Sequence, residues 1–220
     1  MSARLVIFDC DGTLTDGQAA VCAAMDAAFA ASDLPAPDRH QVRRTVGLSL
    51  PQAVARLLPA AASITQAQVV ADYKAAFRAA RMDGSLHEPL FPGMGALVRR
   101  LAGTGWQLAV ATGKSDRGTR ATLAGHDLAA CFASLQTADR HPSKPHPAML
   151  LAAMAETGVA ANAAVMVGDT VFDMEAARAA GVAAIGVDWG YHEPHELLGA
   201  GAMAVARTAK ELEELIHAAK

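Results

Sequence analysis

The stretch LVIFDCDGTLTDG, residues 5–17, carries the reading of the fold. Leu5–Phe8 is a continuous apolar run, not an alternating one. Such a run fits a strand covered on both faces, the central position of a parallel sheet packed between helices. The run stops at Asp9, and Asp11 and Asp16 follow within a few residues. Residues two apart in an extended chain point the same way, so Asp9 and Asp11 are expected to face one site. Two anions that close repel, and burial makes the repulsion worse. A bound divalent cation relieves it, and carboxylates favour a hard, oxygen-liganded ion such as Mg²⁺ over zinc. A calcium loop starting at Asp9 would need Gly at position 14 and Glu at position 20, where the chain has Leu14 and Ala20.

Three further apolar runs share the pattern: Leu108–Ala111, Ala164–Val167 and Ala183–Val187. They end at Thr112, at Gly168-Asp169 and at Asp188. Helical spacing fills Met94–Leu101, Pro147–Thr157 and Met174–Ala180, with Gly181 as a helix stop. The alternation predicts an α/β fold, a doubly wound Rossmann-like parallel-sheet core. Ligands of such sheets bind at the carboxyl ends of the strands, so the polar residues ending these runs are expected to converge on one crevice. Residues 16–87 read differently, as helices over Gln18–Ala31, His40–Val46, Pro51–Leu58 and Gln66–Met82 with no convincing strand. This predicts a small all-helical cap, 16–87, inserted into a core made of 1–15 and 88–220, with Asp16 capping its first helix.

Composition narrows the function. A chain of 220 residues that is 52% hydrophobic and 19% charged can bury a sizeable core, so disorder is not expected. With a formal net charge of -3 and no basic stripe or basic amphipathic helix, neither nucleic acid nor a membrane surface is expected as a partner. Cys10, Cys22 and Cys131 form no CxxC pair and are odd in number, which suits a reducing, cytoplasmic setting better than a disulfide framework. Asp9 comes too soon for a signal-peptide apolar region, and no apolar stretch is long enough to span a bilayer.

Three more motifs bear on chemistry. In AVATGKSDRG, residues 109–118, the glycine that a phosphate loop requires is replaced by Leu108. What remains is a Thr112 hydroxyl beside the backbone N–H of Gly113, a cradle for phosphoryl oxygens, with Ser115 as a candidate helix cap. In Ser143-Lys144-Pro145-His146-Pro147 two prolines pin the backbone around one lysine, whose ammonium can neutralise a carboxylate and a transferring phosphoryl group. In Val167-Gly168-Asp169-Thr170-Val171-Phe172-Asp173, Asp169 stands at a strand mouth and supplies the further carboxylate a metal site needs. Asp173 lies near the start of a helix, where negative charge is favoured. The segment WGYHEPHEL, residues 189–197, lacks HExxH spacing and reads as a loop near the site mouth rather than a zinc site.

Taken together, DCDGTLTD, the threonine at 112, the Lys144-Pro145 pair and GDTVFD resemble the haloacid dehalogenase superfamily, in its phosphoglycolate phosphatase-like branch. The resemblance covers the whole chain. It implies Asp9 as nucleophile forming an aspartyl-phosphate, and Asp11 as general acid and then base. It implies Thr112 and the Gly113 N–H as phosphoryl binders, and Lys144 as charge partner of Asp9 and the phosphoryl group. Mg²⁺ would be held by the Asp9 and Asp169 side chains and the Asp11 backbone carbonyl, with Asp173 supporting that shell or the lysine. The implied substrate is a small phosphorylated metabolite, phosphoglycolate being the named expectation. Mutases with this kind of cap carry a basic residue soon after a Gly-x-Ser stretch, where this chain has Leu50 after Gly47-Leu48-Ser49. A phosphomutase or other phosphoryl transferase, and a non-catalytic phosphate-binding regulator, stand as alternatives. Lys74, the only lysine of the cap, reads as solvated, and at most one of Arg43 and Arg44 is expected to face the site. Monomer and homodimer both remain open.

Overall fold

A computed structural model describes residues 4–219. Its core is one parallel sheet of six strands: β1 (Arg4–Phe8), β2 (Trp106–Thr112), β3 (Ser134–Thr137), β4 (Ala164–Gly168), β5 (Ala183–Val187) and β6 (Ala204–Ala206). Their spatial order is β3-β2-β1-β4-β5-β6. The chain builds outward from β1 to one side and then returns to build outward on the other. β1 and β4 therefore flank the point where the winding reverses, the place where such sheets bind ligands.

The uninterrupted apolar runs have a direct cause. Val6, Phe8, Leu108, Val110, Val165 and Val167 face one buried cluster, together with α5 (Met94–Gly103) and α10 (Ala209–Ala218). Leu5, Ile7, Ala109, Ala111, Ala164 and Met166 face the other, with α7 (Ala148–Thr157) and α8 (Val171–Ala180). Alternate residues thus meet two dry layers, and both must be apolar. Register brings the strand ends level. Phe8 pairs with Val110 of β2 and with Val167 of β4, so Asp9 emerges between those two neighbours.

Between β1 and α5 come four helices: α1 (Gln18–Ala31), α2 (Arg39–Thr45), α3 (Leu50–Leu57) and α4 (Ser63–Met82). They enclose their own apolar cluster of Cys22, Met25, Ala28, Phe29, Val42, Val54 and Val69. The two chain crossings are stitched to each other. Asp16 N donates to Pro89 O at 2.8 Å and Phe91 N to Leu14 O at 3.0 Å. Asp16 also accepts from Gln18 N at 3.2 Å, although Gly17 holds the cap position.

Five of these strands and α-helices lie outside the sequence reading. β3 and β6 are edge strands, α6 (Asp116–Gly125) and α9 (Pro194–Ala200) are short helices with Gly or Pro in them, and α10 follows the last strand. The sequence SLQT of β3 has no apolar run, because its Ser134 and Gln136 are buried polar groups with partners. Ser134 Oγ donates to Glu156 at 2.6 Å and accepts from Gln136 Nε2 at 2.7 Å.

Candidate active site

The carboxyl ends of β1, β2 and β4 deliver Asp9, Thr112 and Asp169 to one end of the sheet, and all three are buried. The loop before α7 adds Lys144, and the first turn of α8 adds Asp173, both fully buried. Asp9, Asp169 and Asp173 each place a carboxylate oxygen within 4.8 Å of the others. Lys144 Nζ lies 3.0 Å from Asp9 Oδ1 and 2.6 Å from Asp173 Oδ1, and donates to Ala111 O at 3.1 Å. Asp173 is thus both the lysine's partner and the acid that reaches back to the cap residue of its own helix, since its Oδ2 accepts from Thr170 N at 3.0 Å.

The carboxylates differ in how they are satisfied. Asp169 accepts from Thr13 Oγ1 at 2.8 Å and from Tyr191 N at 3.0 Å. Asp9 contacts Lys144 as an ion pair, outside hydrogen-bond angles, and neither of its oxygens accepts a side-chain or backbone hydrogen bond. Burial pushes the Asp9 carboxyl up to about 7, against the pull of Lys144. Burial and then the charge of Asp9 hold Asp169 well above the usual carboxylate range. Three buried carboxylates share one ammonium, and like charges at about 4 Å repel by roughly 4 kcal/mol at an effective dielectric of about 20. The orphaned Asp9 oxygens and an all-oxygen donor set fit a hard divalent cation such as Mg²⁺.

The turn after β1 bends sharply, with Leu14 N donating to Cys10 O at 2.9 Å and Gly12 at φ +89°. A Cβ on Gly12 would come within 2.1 Å of Asp169 Oδ2, so the glycine also admits the neighbouring carboxylate. The bend carries the Asp11 side chain outside the three-carboxylate cluster. Its Oδ1 accepts from Lys114 Nζ at 2.8 Å instead.

A cavity of about 580 Å³ separates this end of the sheet from the four helices. Asp9, Asp11, Thr112, Gly113 and Lys114 form its floor, and residues of α1, α3 and α4 its roof. Thr112 Oγ1 accepts from Lys114 N at 3.2 Å, which leaves its own hydrogen to donate. A Cβ on Gly113 would meet Leu48 O at 2.3 Å, so the helical segment rests directly on this turn. Lys74, read from the sequence as solvated, is exposed but stands on the cavity wall with Arg78 and Arg117. None of the three forms an ion pair among the described residues. Arg43 and Arg44 both lie off the wall, and Arg44 grips Glu196 with two bonds of 2.7 Å. Leu50 lines the cavity. The segment 189–197 wraps Asp169: Trp189 Nε1 donates to Thr13 O at 3.2 Å and His192 N to Asp169 O at 3.3 Å. Its histidines hold no metal cluster among the described residues.

Sequence reasoning passed over Lys114 and Glu88. The signal for Lys114 was its place two residues past a strand mouth, in the Gly113-Lys114-Ser115 stretch set aside as an incomplete phosphate loop.

Residues 6–187 match the sequence profile of haloacid dehalogenase-like hydrolases. Over 219 residues the chain is 37% identical to the "Probable phosphatase IndB" of Dickeya dadantii, covering 97% of this chain and 94% of that protein. It is 36% identical over 205 residues to a phosphoglycolate phosphatase of Rhodospirillum rubrum, covering 90% and 85% of the two chains. The solved structure of a "predicted phosphatase" from Clostridium acetobutylicum superposes with a TM-score of 0.88 at 25% identity, over 99% of this chain and all of that one. The chain belongs to the haloacid dehalogenase-like hydrolases. Within them it is an enzyme of the phosphoric monoester hydrolase class.

Proposed function

We propose that this hydrolase is a Mg²⁺-dependent phosphatase that cleaves a small phosphomonoester through an aspartyl-phosphate on Asp9. The observation that carries the reading is Asp9 itself. It is a buried carboxylate at the mouth of the switch-point strand, with no hydrogen bond to either oxygen, facing a cavity and backed by Lys144. A carboxylate tied up by donors is a poor nucleophile; this one is held only by charge.

The Asp9 oxygen attacks phosphorus, and the bond from phosphorus to the ester oxygen breaks. Asp11 gives a proton to the departing oxygen and later takes one from the water that opens the acyl-phosphate. The Thr112 hydroxyl and the Gly113 N–H donate to the phosphoryl oxygens as negative charge grows there. Lys144 offsets the charge of Asp9 and of the group it attacks, and Asp173 keeps that lysine in place. The Asp9 and Asp169 carboxylates and the Asp11 carbonyl would hold Mg²⁺, which when bound supplies the positive charge that lets an anion approach a phosphate.

Residues 16–87 act as a cap over this floor. The three unpaired cations on the cavity wall, Lys74 and Arg78 of α4 and Arg117 of α6, together with phosphoglycolate phosphatases among the relatives, support an ester with a second anionic group, phosphoglycolate first. Hydrolysis is favoured over transfer to a sugar by the phosphatases among the relatives and by Leu50 at the position where mutases of this kind carry a basic residue. A small phosphorylated metabolite in a reducing cytoplasm suits the absence of a basic stripe and the three free cysteines.

The test is phosphate release from a panel of phosphomonoesters with Mg²⁺, with EDTA, and by a folded Asp9→Asn variant. Turnover that needs Mg²⁺ and disappears in the variant is the expected result. A folded, metal-loaded enzyme that releases phosphate from no ester would sink the reading.

A further inference from the structure

Lys114 carries an arrangement that the mechanism above leaves unused. Its ammonium lies 2.8 Å from Asp11 Oδ1 and 2.5 Å from Glu88 Oε1. The three side chains are only 9%, 14% and 8% exposed, so these pairs are largely removed from water. Glu88 sits on the return crossing and is itself braced: its Oε2 accepts from Thr122 Oγ1 at 3.1 Å and stands 3.5 Å from Arg81 at the end of α4. On the other side, Gly17 lets Asp11 come close, since a Cβ there would sit 3.2 Å from Oδ1. Asp11 Oδ1 is therefore pinned, while Oδ2 makes no hydrogen bond among the described residues on a side chain that lines the cavity.

A proton donor must sit within hydrogen-bond reach of the oxygen it serves. Asp11 opens the turn that Gly12–Leu14 form and belongs to no strand or helix, so its backbone is set by a bridge to Thr15 while its side chain is held by its partner Lys114. We propose that Lys114 is a positioning residue that holds the Asp11 carboxyl group by Oδ1, leaving Oδ2 to carry the proton that goes to the leaving group, and that Glu88 orients Lys114. This rests on the phosphatase reading above. Lys114 neither gives nor takes a proton. Asp11 passes one to the ester oxygen as the bond to phosphorus breaks, and regains one from water when the acyl-phosphate is opened.

The role has a kinetic signature that a purely structural or substrate-binding lysine lacks. An alkyl phosphate needs a proton on its leaving oxygen, whereas p-nitrophenolate departs without one. The ratio kcat/KM covers the steps up to alcohol or phenol departure and excludes the later hydrolysis. Lys114→Met and Glu88→Gln are compared with the wild type on phosphoglycolate and on p-nitrophenyl phosphate, with Mg²⁺, after thermal melts establish folding. Lys114→Met should lose on the order of 10²-fold in kcat/KM on the alkyl ester and only a few-fold on the aryl ester. Glu88→Gln should show a smaller loss with the same preference, which keeps the test intact if Lys114→Met fails to fold, and Lys114→Arg should recover part of the alkyl activity. Equal losses on both esters, or a rise in KM alone, would overturn the positioning role. A wild type that turns over neither ester would instead remove the phosphatase reading, and this role with it.

Discussion

Asp9 shows how one residue can be unstable by its own design. Burial raises its proton affinity, and Lys144 offsets only part of that cost. In the unfolded chain the carboxyl titrates near its ordinary 3.8, in the folded protein near about 7. The folded state therefore binds the extra proton between these values, and stability is lost as pH rises through that window. In EDTA, Asp9→Asn should be more stable than the wild type at pH 7 in urea melts, and the advantage should shrink as pH falls toward 4. Its size should be a few kcal/mol, because each tenfold change in proton affinity is worth about 1.4 kcal/mol. Added Mg²⁺ should raise the melting temperature of the wild type and not of the variant. Equal pH profiles for the two proteins in EDTA would show that Asp9 is not strained in this way. The acid was legible in the sequence, since a charge ending a fully apolar run has few structural uses. Its strain was not, because that depends on burial by the folded chain and on the charge of Asp173, which lies about 160 residues further along the chain.

At the level of elements, helices and sheet are joined by a few specific contacts. Arg44 of α2 binds Glu196 of α9 through both oxygens and holds that carboxyl down to about 2. A depressed folded value means stabilisation that is present above the ordinary 4.5 and lost as pH falls through about 2. Glu196→Gln should cost about 0.5–1 kcal/mol at pH 7, the range for a partly exposed but bidentate pair. The cost should fade below pH 4 in thermal melts; a cost that persists to pH 2 would assign it to packing. The central strands and helices α1–α4 were predicted nearly to their ends, because each repeats its burial pattern along its own length. β3, β6 and α6 escaped for the opposite reason. β3 satisfies its buried polar groups with side chains from elsewhere, β6 is three residues long, and α6 is largely polar.

At the scale of the whole molecule, two apolar clusters cover the faces of the sheet and a third lies within helices α1–α4, which two short crossings join to the sheet. The bonds Asp16 to Pro89 and Phe91 to Leu14 tie those crossings together, and the cavity lies between the parts they connect. Closure over bound ester would exclude water while Asp9 attacks, and opening would release product. With Mg²⁺ and vanadate, exchange of the Asp16 and Phe91 amides should slow by roughly tenfold, a change of about 1.4 kcal/mol in local opening. The amides of β1 should change little. Crossings as protected as β1 both with and without ligand would argue against hinge motion there.

The amino-acid sequence by itself determined the sheet's centre, the helices above it, and the acids, threonine and lysine that end its strands. These follow from local burial patterns and from chemistry placed at strand and helix ends, which short stretches of chain encode. Only the tertiary structure decided that Asp11 turns to Lys114, that Glu88 braces that lysine, that Arg44 serves Glu196 instead of the cavity, and that Lys74 reaches the cavity wall. Each of those depends on two distant segments meeting at one distance and angle. No periodicity along the chain carries that information, because the forces that set it act across space between residues the sequence keeps apart.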